Sequence, residues 1–247
     1  VSEIDVDVTI TDVTGVGEAT SGSDYTVTLE EKTISAGDTE ESFVVTLTDD
    51  AEDEDDETIV LGITGNTYSG QGTNTTHTLT LSDSDPIPSV GFSNADATGS
   101  VQTVIEAVDG TAGSYSIEVV LNYKSYQATS VAYAVSGSST AAAGDYTLTS
   151  TSPTLTTGTS GELNFVIGDT LETIDFSITD DATDEYAEEV IIDLTAGSNC
   201  TVGAIGQLVI TITDDDAAPV VRFSATADAA GTEGDPTQTV EVTLTPA

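Results

Sequence analysis

The chain has 247 residues, of which 44 are acidic and only three, Lys32, Lys124 and Arg222, are basic, giving a formal net charge of −41. That field excludes nucleic acid as a direct partner, and no apolar run approaches the roughly 20 residues of a membrane span. Thr, Val and Ile alternate throughout, unlike a disordered acidic tail, so the chain folds around a core of Val, Ile, Leu and Ala. It opens with neither a signal peptide nor an initiator Met, and is read as an internal piece of a longer protein.

In chain order, residues 3–11 alternate with period two and predict a strand that reads as the third of a module, with no first or second before it. A Gly22-Ser23-Asp24-Tyr25 turn follows, then a strand from Phe43 that ends in Thr48-Asp49-Asp50. Glu57-Thr58-Ile59-Val60-Leu61 opens the next strand, and the last, around 75–81, closes on Asp83-Ser84-Asp85. Pro88-Ser89-Val90-Gly91-Phe92-Ser93 then starts a second series, with strands at 90–92, 114–121, 130–136, 162–167, 172–179, 189–194 and 207–213. The same signals return in the same order: Ala143-Gly144-Asp145-Tyr146, Thr179-Asp180-Asp181, Glu188-Glu189-Val190-Ile191-Ile192 and Asp214-Asp215-Asp216. Pro219-Val220-Val221-Arg222-Phe223-Ser224 opens a third series, which supplies strands only at 220–223 and 239–244.

Short alternating strands closed by Gly, Asn, Asp or Pro, with no amphipathic helix, predict an all-β chain of tandem seven-stranded antiparallel β-sandwiches of the immunoglobulin-like type. The expected organisation is a module at 1–86 lacking its first two strands, a complete module at 87–217, and the first two strands of a further module at 218–247. The two incomplete ends are complementary: 243–247 followed by 1–6 reads as an unbroken strand, turn and strand. Neighbouring copies or modules of the same protein are therefore the expected partners, either as a head-to-tail array or as subunits that lend strands.

The acids gather at strand ends. Asp49, Asp50, Glu54 and Glu57 are spaced as Asp180, Asp181, Glu185 and Glu188 are; Asp83 and Asp85 match the closing Asp214, Asp215 and Asp216; Asp24 matches Asp145. Eight of the nine residues from Asp49 to Glu57 are acidic, and Glu52, Asp53, Asp55 and Asp56 are read as a solvated face. The recurring positions resist that reading, because two carboxylates about 4 Å apart repel by roughly 4 kcal/mol at an effective dielectric near 20. Sandwich loops from alternate strand ends meet at one pole, so an oxygen-only cage for Ca²⁺ is expected, with several ions per module. Mg²⁺ demands a tighter octahedron, and zinc or copper would want His or Cys. His77 is read as an exposed strand residue and Cys200 as a small structural or unpaired thiol. No EF-hand loop is present, and Asn74-Thr75-Thr76 and Asn199-Cys200-Thr201 are candidate glycan acceptors.

The Gly-x-Asp-Tyr turn, the Asp-Asp-x-x-x-Glu-x-x-Glu turn and the acidic closing triplet before Pro-x-Val-x-Phe resemble the Calx-beta domain. That family is known from the regulatory region of sodium/calcium exchangers, from integrin β4, and from tandem arrays in large extracellular adhesion and matrix proteins. The resemblance implies calcium ligands at Glu106, Asp145, Asp180, Asp181, Glu185, Glu188, Asp214, Asp215 and Asp216 in the second module. In the first it implies Asp24, Asp49, Asp50, Glu54, Glu57, Asp83 and Asp85, with Glu233 of the neighbouring segment as the early Glu. Ser84 replaces the middle Asp, so fewer or weaker ions are expected there.

The expected function is that of a calcium-binding structural repeat in an extracellular or cell-surface filament, adhesin or matrix protein, with calcium stiffening modules and their junctions. The alternative is a calcium-sensing regulatory module of a membrane transporter or receptor. With no Trp and no nucleophile beside a base, the chain is not expected to be an enzyme.

Overall fold

A computed structural model describes residues 2–245 apart from 16–17, 29–30, 94–99, 109–110, 151–158, 226–230, 232, 235–236 and 238. The junction residues Val1, Pro246 and Ala247 of the head-to-tail reading lie outside the described residues. All regular structure among the described residues is β. The chain divides into two compact units: Val1–Pro88 with Tyr123–Ala128 and Ile167–Asp169, and the remainder.

The first unit contains β1 (Val6–Asp12), β2 (Tyr25–Val27), β3 (Glu31–Ile34), β4 (Val45–Leu47), β5 (Glu57–Asn66) and β6 (Thr76–Leu81). A four-stranded sheet runs β3-β1-β5-β6, and β2 pairs with β4 in a separate ribbon. The β1–β5 register shifts between Thr9 and Ile10, the signature of a bulge, which bends the strand locally. Its core is small: Ala19, Tyr25, Ile59 and Leu61 are buried, with Ile10, Val27, Val45, Leu79 and Leu81 partly covered against them.

The second unit contains β7 (Ser89–Phe92), β8 (Ser100–Ile105), β9 (Ala107–Val108), β10 (Thr111–Ala112), β11 (Ser114–Leu121), β12 (Thr129–Val135) and β13 (Tyr146–Ser150), then β14 (Ser160–Phe165), β15 (Leu171–Ile178), β16 (Glu188–Ala196), β17 (Thr201–Val202), β18 (Gln207–Thr213), β19 (Val220–Phe223) and β20 (Val242–Thr245). Two five-stranded sheets run β13-β15-β11-β7-β17 and β14-β12-β16-β18-β8, while β9–β10 and β19–β20 are separate hairpins. Alternation places one face of each strand inward: β15 buries Ile174, Phe176 and Ile178, β16 buries Val190, Ile192 and Leu194, and β18 buries Leu208, Ile210 and Ile212. Tyr146 and Phe176 stack at 5.7 Å between centroids.

The sandwich is richer than the seven antiparallel strands expected. The additions are β8, β13 and the two-residue β17, and β8–β18 and β17–β7 are parallel pairs. The strand expected over 162–167 stops at Phe165, leaving Val166 and Ile167 at least 60% exposed.

Candidate metal centres

In the first unit, Gly22 turns the chain with φ 97°, a left-handed conformation that a side chain would strain. The turn is pinned by Asp24 N–H donating to Thr20 O at 3.0 Å, and it is tied to the end of β4 by Thr48 N–H donating to Asp24 O at 2.8 Å. Asp24 thereby sits beside the acids that follow β4. One carboxylate oxygen each from Asp24, Glu54 and Glu57 lie within 4.8 Å of one another. Glu57 Oε2 is buried and has no hydrogen-bond partner among the described residues. All seven acids expected in this unit, Asp24, Asp49, Asp50, Glu54, Glu57, Asp83 and Asp85, line one cleft of about 50 Å³.

The electrostatics record the crowding. Burial first, then the charges of Asp24, Glu57, Asp50 and Glu52, push Glu54 up to about 7. Glu57 is raised by burial and by Asp24, and Asp85 by burial and then by Asp83, Asp49, Asp50 and Asp53.

The second unit repeats the construction. Asp145 N–H donates to Ala142 O at 3.2 Å, Ala142 N–H donates to the Asp145 carboxylate at 2.5 Å, and Thr179 N–H donates to Asp145 O at 2.7 Å. Oxygens of Asp145, Glu185 and Glu188 gather within 4.8 Å, and those of Glu106, Asp214 and Asp216 form a further group of the same tightness. Topology explains the second group: β8 and β18 run parallel, so both end at the same pole, delivering Glu106 and Asp214 side by side. Glu106 N–H donates to Thr213 O at 3.0 Å. Glu106 is 5% exposed, and burial followed by Asp181, Asp214, Glu185 and Asp216 drives it up to about 7. Burial raises Glu185, Glu188 and Asp216 as well, with neighbouring carboxylates adding to it.

Other expected ligands flank these groups. Asp50 and Asp181 each accept from the backbone N–H two residues on, Glu52 at 2.9 Å and Thr183 at 2.7 Å. Asp180 and Asp215 contribute to the field that raises Asp216. Asp215 and its counterpart Ser84 are exposed, between half-buried Asp214 and Asp216, and Asp83 and Asp85, respectively. The Ser84 replacement therefore removes a charge from the outer side of the strand end and leaves the inward pair intact. Glu233 is exposed in a turn between β19 and β20 and belongs to none of the three groups.

The solvated-face reading of the acidic run holds for the exposed Asp55 and Asp56 and is corrected at Asp53. Asp53 is 4% exposed and accepts from Ser125 Oγ at 2.6 Å, within the first unit. Glu52 pairs with Lys124 at 3.1 Å, Asp55 accepts from Gln127 Nε2 at 2.9 Å, and Asp56 accepts from Asp83 N–H at 3.2 Å. Sequence reasoning also missed Asp12, whose carboxylate accepts from the buried Tyr25 hydroxyl at 2.5 Å. Asp12 and Tyr25 stand 13 positions apart with no local motif linking them. His77 is exposed on β6, and Cys200 is free and 7% exposed, donating to Ser130 O at 3.4 Å. Asn74 and Asn199 are both exposed.

The donor set fits a hard cation. The three groups are built of carboxylates alone, the ligand chemistry of calcium rather than of zinc or copper. The orphaned Glu57 Oε2 is a buried acceptor awaiting a positive partner, since an unsatisfied buried polar atom costs about 1–3 kcal/mol or more when charged.

No family model matches the chain, and no curated protein matches it either. Among solved structures, the chain is similar to a crystal structure of the apo-form Calx CBD1 domain, at 21% identity and a TM-score of 0.41, covering 53% of this chain and 99% of that one. It is also similar to CBD12 from CALX1.2, at 15% identity and a TM-score of 0.40, covering 85% and 88% respectively. A third likeness is to the calcium binding domain CBD12 of CALX1.1, at 14% identity and a TM-score of 0.36, covering 84% and 87%.

Proposed function

We propose that this chain is a calcium-binding structural repeat of an extracellular or cell-surface filament, adhesin or matrix protein. The reading is carried by one observation: carboxylates remote in sequence converge, in both units, into groups whose oxygens lie within 4.8 Å of one another. Without a cation these groups either repel or hold protons near neutrality, as Glu54 and Glu106 do. A divalent ion replaces the proton, satisfies the Glu57 orphan and ties turn, strand end and closing acids into one rigid pole.

The working role is mechanical. Calcium bound at strand ends converts loops that repel one another into fixed struts, and at extracellular calcium levels weak sites, with dissociation constants of roughly 10⁻⁴ to 10⁻³ M, stay filled. A calcium titration followed by melting temperature and calorimetry tests this. Saturation near millimolar calcium, with little response to magnesium, is the expected result. Saturation near micromolar favours the sensor alternative, and no thermal response to calcium or chelator removes the proposal.

A further inference from the structure

The two units differ at one strand edge. In the second unit β15 is paired on both sides, by β13 and by β11, and β11 in turn carries β7. In the first unit β4 holds the place of β15, because both lead into Thr-Asp-Asp, yet among the described residues it pairs with β2 alone. Phe43, Val45 and Leu47 thus correspond to Ile174, Phe176 and Ile178. The second trio is at most 3% exposed, whereas Leu47 is 56% exposed. Phe43, Val45, Leu47, Ile59, Leu61 and Leu79 line an open apolar cavity of about 600 Å³.

The strands that would fill this position have close counterparts in β19 and β20. Their register repeats that of β7 and β11 pair for pair: Phe223↔Val242 for Phe92↔Val119, Arg222↔Thr243 for Gly91↔Val120, and Val221↔Leu244 for Val90↔Leu121. Directly paired residues share a face, so Val221, Phe223, Val242 and Leu244 make one apolar face. These four are 60–67% exposed, while Val90, Phe92, Val119 and Leu121 are at most 5% exposed. A groove lacking two strands and an uncovered two-stranded hairpin of matching pattern occur in one sequence.

We propose that the β19–β20 hairpin of one copy of this chain adds, in a second copy, to the free edge of the segment 38–43 that leads into β4, with β20 antiparallel to that segment and the hairpin's apolar face closing the cavity. The β11–β15 pairs Ile117↔Ile174, Glu118↔Thr173 and Val119↔Glu172 give the expected register: Val240 opposite Phe43, Glu241 opposite Ser42, and Val242 opposite Glu41. Main-chain hydrogen bonds along the edge supply affinity, and the alternating apolar side chains set the register. Donor and acceptor are different surfaces, so the contact is heterologous and each added copy presents a fresh hairpin or a fresh groove. The proposal is independent of the calcium reading; its test is run with calcium present throughout to suppress repulsion between the acidic chains.

The 247-residue chain is examined by light scattering and sedimentation, with Val242→Asp and Leu47→Asp variants, both at exposed positions. Wild-type chain is expected to form concentration-dependent species larger than 25.2 kDa. Each variant alone should remain monomeric, and an equimolar mixture of the two should stop at a dimer, because one intact hairpin meets one intact groove. A Ser42→Cys copy mixed with a Glu241→Cys copy should form a disulfide-linked dimer at least tenfold faster than one mixed with Thr245→Cys, which lies about 13 Å off register. Monomeric wild type up to about 1 mM, larger species unaffected by either Asp substitution, or equal cross-linking in and out of register overturns the proposal. So does a Ser42→Cys/Glu241→Cys double variant that closes on itself at low concentration, which would mean that each chain fills its own groove.

Discussion

Glu54 and Glu106 are held near 7 because burial and crowded carboxylates favour the proton over the charge. For an acid whose folded value lies above its ordinary one, the stabilising contribution is complete below about 4.5 and is lost as pH rises through about 7. Chelated protein should therefore melt at lower temperature as pH rises between these limits. Saturating calcium should reverse the slope, because the ion takes the proton's place. Glu106→Gln preserves shape and removes charge: it should raise the melting temperature of chelated protein at pH 8 by a few degrees and weaken calcium affinity by about tenfold, read by calorimetry. The acids of the two turns were legible in the sequence because their spacing recurs. Glu106 was not legible from spacing, since the parallel partnership of β8 with β18 that brings it to Asp214 has no local signature. Asp53 was misread because an acidic run looks uniformly solvated, and its Ser125 partner lies 72 positions away.

At the scale of strands, period two was the reliable signal, and β11, β12, β15, β16 and β18 lie where alternation places them. β13 escaped because its inward positions include Ser150, 3% exposed, so the pattern is apolar–polar only in part. The expected strand over 162–167 overran because Val166 and Ile167 continue the apolar run while the chain already turns toward Gly168, at φ 79°. The core of the second unit depends on β15 more than on any edge strand, since Phe176 is fully buried and stacks on Tyr146. Phe176→Ala should cost about 3–5 kcal/mol, measurable by denaturant unfolding of that unit. A Thr173→Ala change on the same strand should cost under about 1 kcal/mol.

Taken whole, the molecule carries a net charge of −41 with three cationic side chains, so its compact state is opposed by its own field in the absence of counterions. Chelation should lower the melting temperature by about 10 °C or more, monovalent salt should recover part of that loss by screening, and magnesium should recover less than calcium. The all-β class and the duplicated order of motifs were legible at this scale because duplication prints the same residues twice. The open edge leading into β4 was not, since its meaning depends on which surfaces stay uncovered after folding. The chain also has no Met and no Trp, and its single thiol is 7% exposed. Peroxide, which attacks sulfur first, should find almost nothing to modify. Prolonged exposure to peroxide should leave the intact mass unchanged, a chemical durability that follows from which side chains the chain lacks and where its one thiol is held.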